Sequence, residues 1–182
     1  MEAMYKNINP KDSTNNKQTE KEEIESLISD LANKDSVARI KARASLVSYG
    51  HRAVGTLLEA LSSKKQWVRW EAAKALSQIH DPSSINGLIS ALRDEMFDVR
   101  WLAAEGLIAI GSKSLIPLLQ ALIDYPDSVW IMEGAHHVLH DIEKGDLEEV
   151  LQPVLSGLED ITGAIEVPFI AEAVLNKMQK GR

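Results

Sequence analysis

The amino-acid sequence predicts an all-α fold in which about five helical hairpins stack into one α-α superhelix, a solenoid. The first observation behind this prediction is an internal repeat, because VRWLAAEGLIAIG at residues 99–111 aligns with VRWEAAKALSQIH at residues 68–80, a shift of 31 positions. The second is a helical apolar periodicity that begins near Ile24 and returns in each repeat. A hairpin of about thirty residues cannot bury its apolar face alone, so stacked copies that share one core are expected.

Composition limits the class of protein. A hydrophobic content of 45% and a charged content of 26% are ordinary for a globular chain of 182 residues. The absence of Cys excludes disulfides, thiolate nucleophiles and Cys-based zinc sites. The apolar runs fall short of the roughly 20 consecutive residues that span a membrane, and the polar start lacks a secretory signal. We therefore expect a cytoplasmic protein without a membrane partner.

The net charge of −7 is unevenly distributed along the chain. Residues 34–74 carry nine basic and three acidic side chains, whereas residues 101–182 carry five basic and thirteen acidic ones. Such a split can steer a charged partner to one end of the molecule, although solvated faces of ordinary helices give the same pattern.

The chain divides into a tail and one repeat domain. Residues 1–20 are rich in Asn, Lys, Ser, Thr and Gln and lack apolar periodicity, which is typical of a flexible segment. Residues 21–182 are expected to form a single domain. Its five repeats cover about residues 21–50, 51–80, 81–111, 112–145 and 146–182.

Each repeat contains a first helix, A, and a second helix, B. Helix A carries an i, i+1, i+4 apolar set, and successive sets begin at Leu27, Leu57, Leu88, Leu118 and Val154. Helix B carries small or apolar residues at offsets 0, 4, 7 and 8 from a first residue. In successive repeats that first residue is Ala38, Val68, Val99, Ile131 and Val167.

The expected joints between helices contain residues that favour chain breaks. Gly50 and Gly111 stand where a helix C-terminus favours a residue that can adopt positive φ. Asp81 and Pro82 indicate a break before the third A helix, and Pro126 indicates the turn between the fourth A and B helices. The joints therefore agree with the hairpin boundaries.

The repeat unit, with its Val-Arg pair, paired Ala and closing Ala-Leu or Gly-Leu, resembles the E-Z type of HEAT-like repeat. Phycobilin lyase subunits and deoxyhypusine hydroxylase contain this repeat, and the resemblance covers about residues 24–178. It implies a HEAT/armadillo-like superhelix whose B helices line the concave side, and no particular activity. The hydroxylases carry His-Glu after the Val-Arg pair as ligands for two iron ions. Here those positions hold Trp70-Glu71 and Trp101-Leu102, so the resemblance does not imply that activity.

A helical wheel predicts which residues line the concave groove. With the core at offset 0 of helix B, offsets 2, 5, 6 and 9 lie on the opposite side. These offsets carry a row of large apolar side chains, which usually marks a binding surface unless neighbouring elements cover it. We expect Trp67, Phe97 and Trp130 to be mainly packing residues. The candidate partner-binding residues are Ile40, Arg43, Trp70, Lys74, Trp101, Glu105, Ile108 and His137.

The stretch EGAHHVLHD in the fourth B helix contains a candidate metal site. Glu133, His136 and His140 share the exposed side, and two imidazoles four residues apart can reach one divalent ion such as Zn, Fe or Ni. Glu105 and Glu172 of neighbouring repeats would add carboxylates. The same side chains can equally make polar contacts to a partner or remain solvated.

Arg39, Arg69 and Arg100 all occupy offset 1, at the edge of the buried stripe. Their recurrence at one repeat position favours a structural role over ligand binding. We expect a ladder of hydrogen bonds from these guanidinium groups to loop carboxylates or carbonyls between repeats.

These observations favour a non-enzymatic scaffold or adaptor that binds a peptide or protein surface in the concave groove. The alternative is a metal-binding or lyase-like enzymatic repeat protein that uses the His cluster of the fourth repeat. Nucleic-acid binding is disfavoured, because the basic patch near Trp70 is not continued into the acidic C-terminal half. No nucleophilic triad, phosphate loop or paired-carboxylate motif is recognisable, and the sequence does not define the oligomeric state.

Overall fold

A computed structural model of the chain describes residues 10–142, 145–160 and 165–180, with side chains described from residue 18 onward. These residues contain no strand, which confirms the all-α prediction. Short 3-10 turns at Pro82–Ser84, Gly111–Ser114 and Gly145–Leu147 separate some of the helices. The α-helices of the described residues are α1 (Pro10–Asp30), α2 (Ser36–Tyr49), α3 (His51–Ala60), α4 (Gln66–Ile79), α5 (Ile85–Ala91), α6 (Phe97–Ile110), α7 (Leu115–Asp124), α8 (Val129–Asp141), α9 (Glu148–Glu159) and α10 (Val167–Lys180).

Helix α1 begins earlier than the expected boundary between tail and domain. It starts at Pro10, so residues 10–20 of the expected tail are helical, while residues 1–9 lie outside the described part. Pro suits a first helical turn because its missing N–H would have no intrahelical partner there. Apolar periodicity does not reveal these turns because residues 11–20 contain no apolar side chain. Glu20 nevertheless binds Arg52 across the first two hairpins, with 2.5 Å between Oε2 and Nη1.

The first eight helices form four stacked hairpins. Each A helix packs on its own B helix, and the B helices α2, α4, α6 and α8 pack on one another in order. The positions at offsets 0, 4, 7 and 8 supply the shared core, as expected: in α4 the residues at all four offsets, Val68, Ala72, Ala75 and Leu76, are buried. The solenoid therefore has one continuous core.

The joints end the helices as the sequence indicates. Gly50 and Gly111 both adopt positive φ, 57° and 82°. His80, which matches Gly111 in the repeat, is left-handed at φ 56°. Asp81 then caps the following turn, because its Oδ1 accepts hydrogen bonds from the amide and hydroxyl of Ser83 at 2.8 and 2.6 Å. These hydrogen bonds lower the pKa of the Asp81 carboxyl below its usual range.

The last hairpin does not continue the stack as expected. Helix α9, the expected fifth A helix, packs on the B helix α8, and α10, the expected fifth B helix, packs on the A helix α7. The four helices α7 to α10 thus contact one another in a ring and resemble an up-and-down bundle. The stripe of α10 is buried as expected, but an apolar stripe alone does not specify which neighbour covers it.

The stretch Phe97–Asp124 is long and apolar enough to cross a membrane by length and composition alone. It comprises α6, a 3-10 turn and α7, and the backbone breaks at Gly111. Most apolar side chains of both helices belong to the shared core of the stack. Packing between repeats therefore accounts for the apolar composition of this stretch.

Candidate functional site

The arginine ladder predicted at offset 1 is confirmed between repeats for Arg39 and Arg69, whereas Arg100 binds the loop of its own hairpin. Arg69 of α4 donates from Nη1 to the carbonyl oxygen of Ser63, in the loop of its own hairpin, at 2.9 Å. It also makes a bidentate pair with Asp94 of the next hairpin, at 2.7 and 3.1 Å. These hydrogen bonds raise the pKa of the Arg69 guanidinium. Arg100 donates to the carbonyl oxygens of Asp94 and Glu95 in its own loop.

A buried carboxylate joins the first two hairpins. Glu71 of α4 is almost fully buried and accepts hydrogen bonds from Arg39, at 3.3 Å, and from Arg43. Arg39 also donates to the carbonyl oxygen of Asn33 at 3.0 Å. Two guanidinium groups thus compensate one buried negative charge. Arg43, a candidate partner-binding residue, is therefore half-buried and committed to this ion pair.

The solvent-facing side of the B-helix row is narrower than the helical wheel predicts. Offsets 2 and 6 face outward, but Ala73 and Ala104 at offset 5 and Ser77 at offset 9 are buried. The helical wheel takes account only of the side of helix B that packs on helix A. Each B helix is also covered by the B helices beside it. For the same reason Ile108, at offset 9, is half-buried and packs against the core. We call the outward surface at offsets 2 and 6 the B-helix face.

Trp70 and Trp101 share offset 2 but differ in their surroundings. Trp70 is half-buried, packs against the core and has the Arg43 guanidinium 5.6 Å from its ring centroid. Trp101 is 46% exposed, and Ile40, which holds the same offset in α2, is also exposed. The expected apolar row is therefore present, and Trp101 is its most accessible aromatic ring.

Trp101 forms one wall of a pocket between α6 and α8, with a volume of about 350 Å³. The ring of Trp101 stacks on the imidazole of His137, with centroids 4.2 Å apart and planes inclined by 28°. The centroid of Phe97 lies 6.1 Å from that of Trp101. We call this the aromatic pocket, and it is lined by Phe97, Arg100, Trp101, Ala104, Trp130, Glu133, Gly134 and His137.

Small residues and a positioned cation shape the aromatic pocket. A Cβ atom at Gly134 would lie 2.8 Å from Cδ2 of the buried Leu92, so a larger residue here would displace that side chain. The Arg100 guanidinium lies 5.0 Å from the ring centroid of Trp130 and 5.7 Å from that of Phe97. Because Arg100 also binds loop carbonyls, it holds the two rings and the loop together.

His137 connects α8 to α6 through a carboxylate as well as through Trp101. Its Nε2 atom lies 2.9 Å from Oε1 of Glu105, and its Nδ1 atom lies 3.3 Å from Oδ2 of Asp141. Glu105 and His137 are adjacent positions of the offset-6 row. The structure thus brings these two candidate partner-binding residues together with Trp101 at one site.

Within the part of the chain that the structure describes, two charged side chains of the B-helix face have no partner. Lys74 of α4 and Glu133 of α8 make no side-chain hydrogen bond or ion pair with any residue between 18 and 180 that the structure describes. Glu133 lines the aromatic pocket, and Lys74 lies on the neighbouring helix of the row. Their charges are available to a ligand.

Two of the three candidate metal ligands, His136 and His140, are imidazoles on neighbouring turns of α8. The ring centroids of His136 and His140 lie 6.1 Å apart, as expected for residues one turn apart. His136 approaches Glu159 of α9, with 3.8 Å between Nε2 and Oε1, and His140 Nδ1 lies 2.6 Å from Asp141 Oδ1. No group of three His, Asp or Glu side chains among the described residues is placed to hold a metal ion. The assignment of Glu133, His136 and His140 to a metal site stays a prediction.

The expectation that Trp67, Phe97 and Trp130 are mainly packing residues is wrong. They are 45%, 62% and 42% exposed, and Phe97 and Trp130 line the aromatic pocket. Spacing along the helices could have revealed this, because Phe97 lies one turn before Trp101 and Trp130 lies two turns before His137. Phe169, at offset 2 of α10, does not join the row because α10 packs on α7.

Comparison with known proteins supports the repeat interpretation. A family model described as HEAT repeats matches residues 24–98 and, in a second overlapping region, residues 85–165. No curated protein matches the chain significantly. The two matched regions together cover well over half of the sequence and include every helix from α2 to α9. The chain therefore belongs to the HEAT repeat family.

Proposed function

We propose that this protein is a non-enzymatic scaffold or adaptor that binds a peptide or protein surface in its concave groove. The aromatic pocket on the B-helix face is the observation that carries the proposal. Contiguous exposed aromatic surface usually marks an interaction site, and Trp is enriched among residues that dominate binding energy. We also assign the repeats to the E-Z type on their Val-Arg and Ala-Leu pattern, and expect the protein in the cytoplasm.

The size and composition of the aromatic pocket fit a side chain of a partner. Its volume of about 350 Å³ is sufficient for one large apolar side chain. The pocket is lined by three aromatic rings, by the small residues Ala104 and Gly134, and by the polar side chains of Arg100, Glu133 and His137. A ligand side chain there would lose its contact with water against apolar surface, which stabilises the complex by about 2 kcal/mol or more.

The surrounding ion pairs hold the B-helix face in one shape. Arg69, Glu71 and Arg100 each bind groups of a loop or of a neighbouring hairpin. Rigid positioning lowers the entropy lost on association, so a preformed groove binds more tightly than a flexible one. This supports recognition of a partner by a fixed surface.

Paired variants of exposed tryptophans test the proposal. Trp101→Ala removes a wall of the aromatic pocket, and Trp67→Ala removes an equally exposed ring, 45% against 46%, that does not line it. Each purified variant serves as bait in lysate of the source cells, and captured proteins are quantified by mass spectrometry. We expect Trp101→Ala to reduce capture of specific partners at least about tenfold, and Trp67→Ala to leave it unchanged.

Thermal unfolding of both variants controls for folding. If Trp101→Ala folds and captures the same partners at the same level as the unaltered protein, the aromatic pocket is not the binding site. Equal losses in both variants would likewise contradict the proposal, because Trp67 lies outside the pocket.

A further inference from the structure

We propose that the occupant of the groove is an extended peptide segment with three ordered features. It places an acidic side chain at Lys74, a large apolar side chain in the aromatic pocket, and a basic side chain at Glu133. This inference rests on the proposed function and specifies the chemistry of the partner.

The argument starts from how charges are compensated on the B-helix face. Glu71 is held by two arginines, and Glu105 is paired with His137. Within the described residues, Lys74 and Glu133 have no such partner, although they lie on the same row of helices. They flank Trp101, because α4 lies on one side of α6 and α8 on the other. The Lys74 cation and the Glu133 anion therefore match a ligand that has an acidic group on the Lys74 side and a basic group on the Glu133 side.

The wider charge distribution points in the same direction. The region that contains α2, α3 and most of α4 is strongly basic, and the chain from α6 onward is acidic. The electrostatic potential along the row of B helices therefore changes from positive near α4 to negative near α8. A peptide with an acidic and a basic end is oriented by this field, and the reversed orientation places like charges together.

The spacing of the helices sets the length of the motif. Adjacent packed helices are about 8–10 Å apart, so Lys74 and Glu133, two helices apart, are separated by roughly 20 Å. An extended chain covers this distance in about six residues. The apolar anchor then lies closer to the basic side chain than to the acidic one, because the aromatic pocket lies between α6 and α8 and Glu133 lines it.

Arg100, the cation that lines the pocket, is partly engaged by groups of its own fold. Its guanidinium is engaged by two loop carbonyl oxygens and by the faces of Phe97 and Trp130. The other charged group that lines the pocket is the carboxylate of Glu133. A phosphate backbone in the pocket would place a negative charge beside the Glu133 carboxylate. An apolar side chain followed by a basic one would instead place a positive charge there.

A displayed library of random twelve-residue peptides, selected against the purified full chain, provides the test. We expect enriched peptides to contain a large apolar residue between an acidic and a basic residue that are about six positions apart, in one consistent order. The double variant Lys74→Glu, Glu133→Lys keeps the net charge and should select the opposite order. A peptide from the first selection should bind this variant about tenfold more weakly.

The control double variant Glu59→Lys, Lys64→Glu exchanges two exposed charges on the α3 side of the molecule, and should select the original order. Enriched peptides that depend on Trp101 but have no charge order would overturn this inference and leave the proposed function standing. An order that is unchanged in the Lys74→Glu, Glu133→Lys variant would overturn it as well. Failure to enrich any peptide that depends on Trp101 would contradict both the inference and the proposed function.

Discussion

The first three hairpins and the last four helices of this protein are assembled in different ways. In the first three, an arginine at offset 1 of each B helix binds its own loop, and Arg39 and Arg69 also bind a carboxylate of the next hairpin. At the same offset α8 carries Met132 and α10 carries Pro168. The B helices stack in order as far as α8, and the next pair then packs as a bundle. Arginine–carboxylate pairs thus link the first three hairpins, whereas α8 stacks on α6 beside the Glu105–His137 pair.

The largest loss of stability is expected from a variant of the arginine ladder. Arg69→Ala leaves the carboxylate of Asp94 without its bidentate partner, and both side chains are about nine-tenths buried. Breaking such a pair costs about 3 kcal/mol or more of the free energy of unfolding. Met132→Ala changes the same offset in α8 and should cost about 1 kcal/mol. Urea unfolding of the two variants measures the difference, and equal losses would show that the ladder contributes no more than ordinary packing.

A second pair of variants separates buried from exposed carboxylates. Glu71→Ala leaves two arginines without their shared partner and should destabilise the protein by about 3 kcal/mol. Glu105→Ala removes a more exposed carboxylate paired with His137, and should cost less than about 1 kcal/mol. Chemical unfolding under the same conditions provides the comparison. A loss for Glu105→Ala as large as that for Glu71→Ala would contradict this ranking.

The two tryptophans at offset 2 extend the comparison to the B-helix face. Trp70 packs against the core, so Trp70→Ala should reduce the free energy of unfolding by about 2 kcal/mol. Trp101 is nearly half exposed, so Trp101→Ala should reduce it by about 1 kcal/mol and act mainly on binding. Thermal unfolding and peptide binding should therefore rank the two variants in opposite orders. The same ranking in both measurements would contradict a division between packing and recognition.

The sequence allowed most of the fold to be predicted, because it depends on local patterns. Helices, joints and the arginine ladder all follow from spacing that recurs in each repeat, as at Val68 and Val99 or at Gly50 and Gly111. Helix α1 was predicted too short, since its first turns lack apolar residues. The sequence does not predict that α9 packs on the B helix α8 and α10 on the A helix α7. The apolar stripe of α10 can be covered by either row of helices.

The candidate site was only partly predictable for a related reason. Offsets identify Trp101, Glu105 and His137, which the structure brings together. They do not show that Arg43 is held by an ion pair, nor that Phe97 and Trp130 complete the aromatic pocket. Those features depend on contacts between neighbouring repeats. One-dimensional spacing within a single helix carries no information about such contacts.

The smallest expected effect is on the pH dependence of stability, and it concerns the joint between the second and third hairpins. Asp81 caps this joint, and its hydrogen bonds from Ser83 hold the pKa of the carboxyl below the unfolded value near 4. A carboxyl with a depressed folded-state pKa contributes stability above its unfolded pKa, and this contribution is lost as the pH falls through the folded-state pKa. Asp81→Asn keeps a capping side chain but removes the titrating group. The variant should therefore lose less stability than the unaltered protein between about pH 5 and pH 3. Urea unfolding at several pH values measures this difference, and parallel pH profiles would show that the cap does not contribute to acid sensitivity.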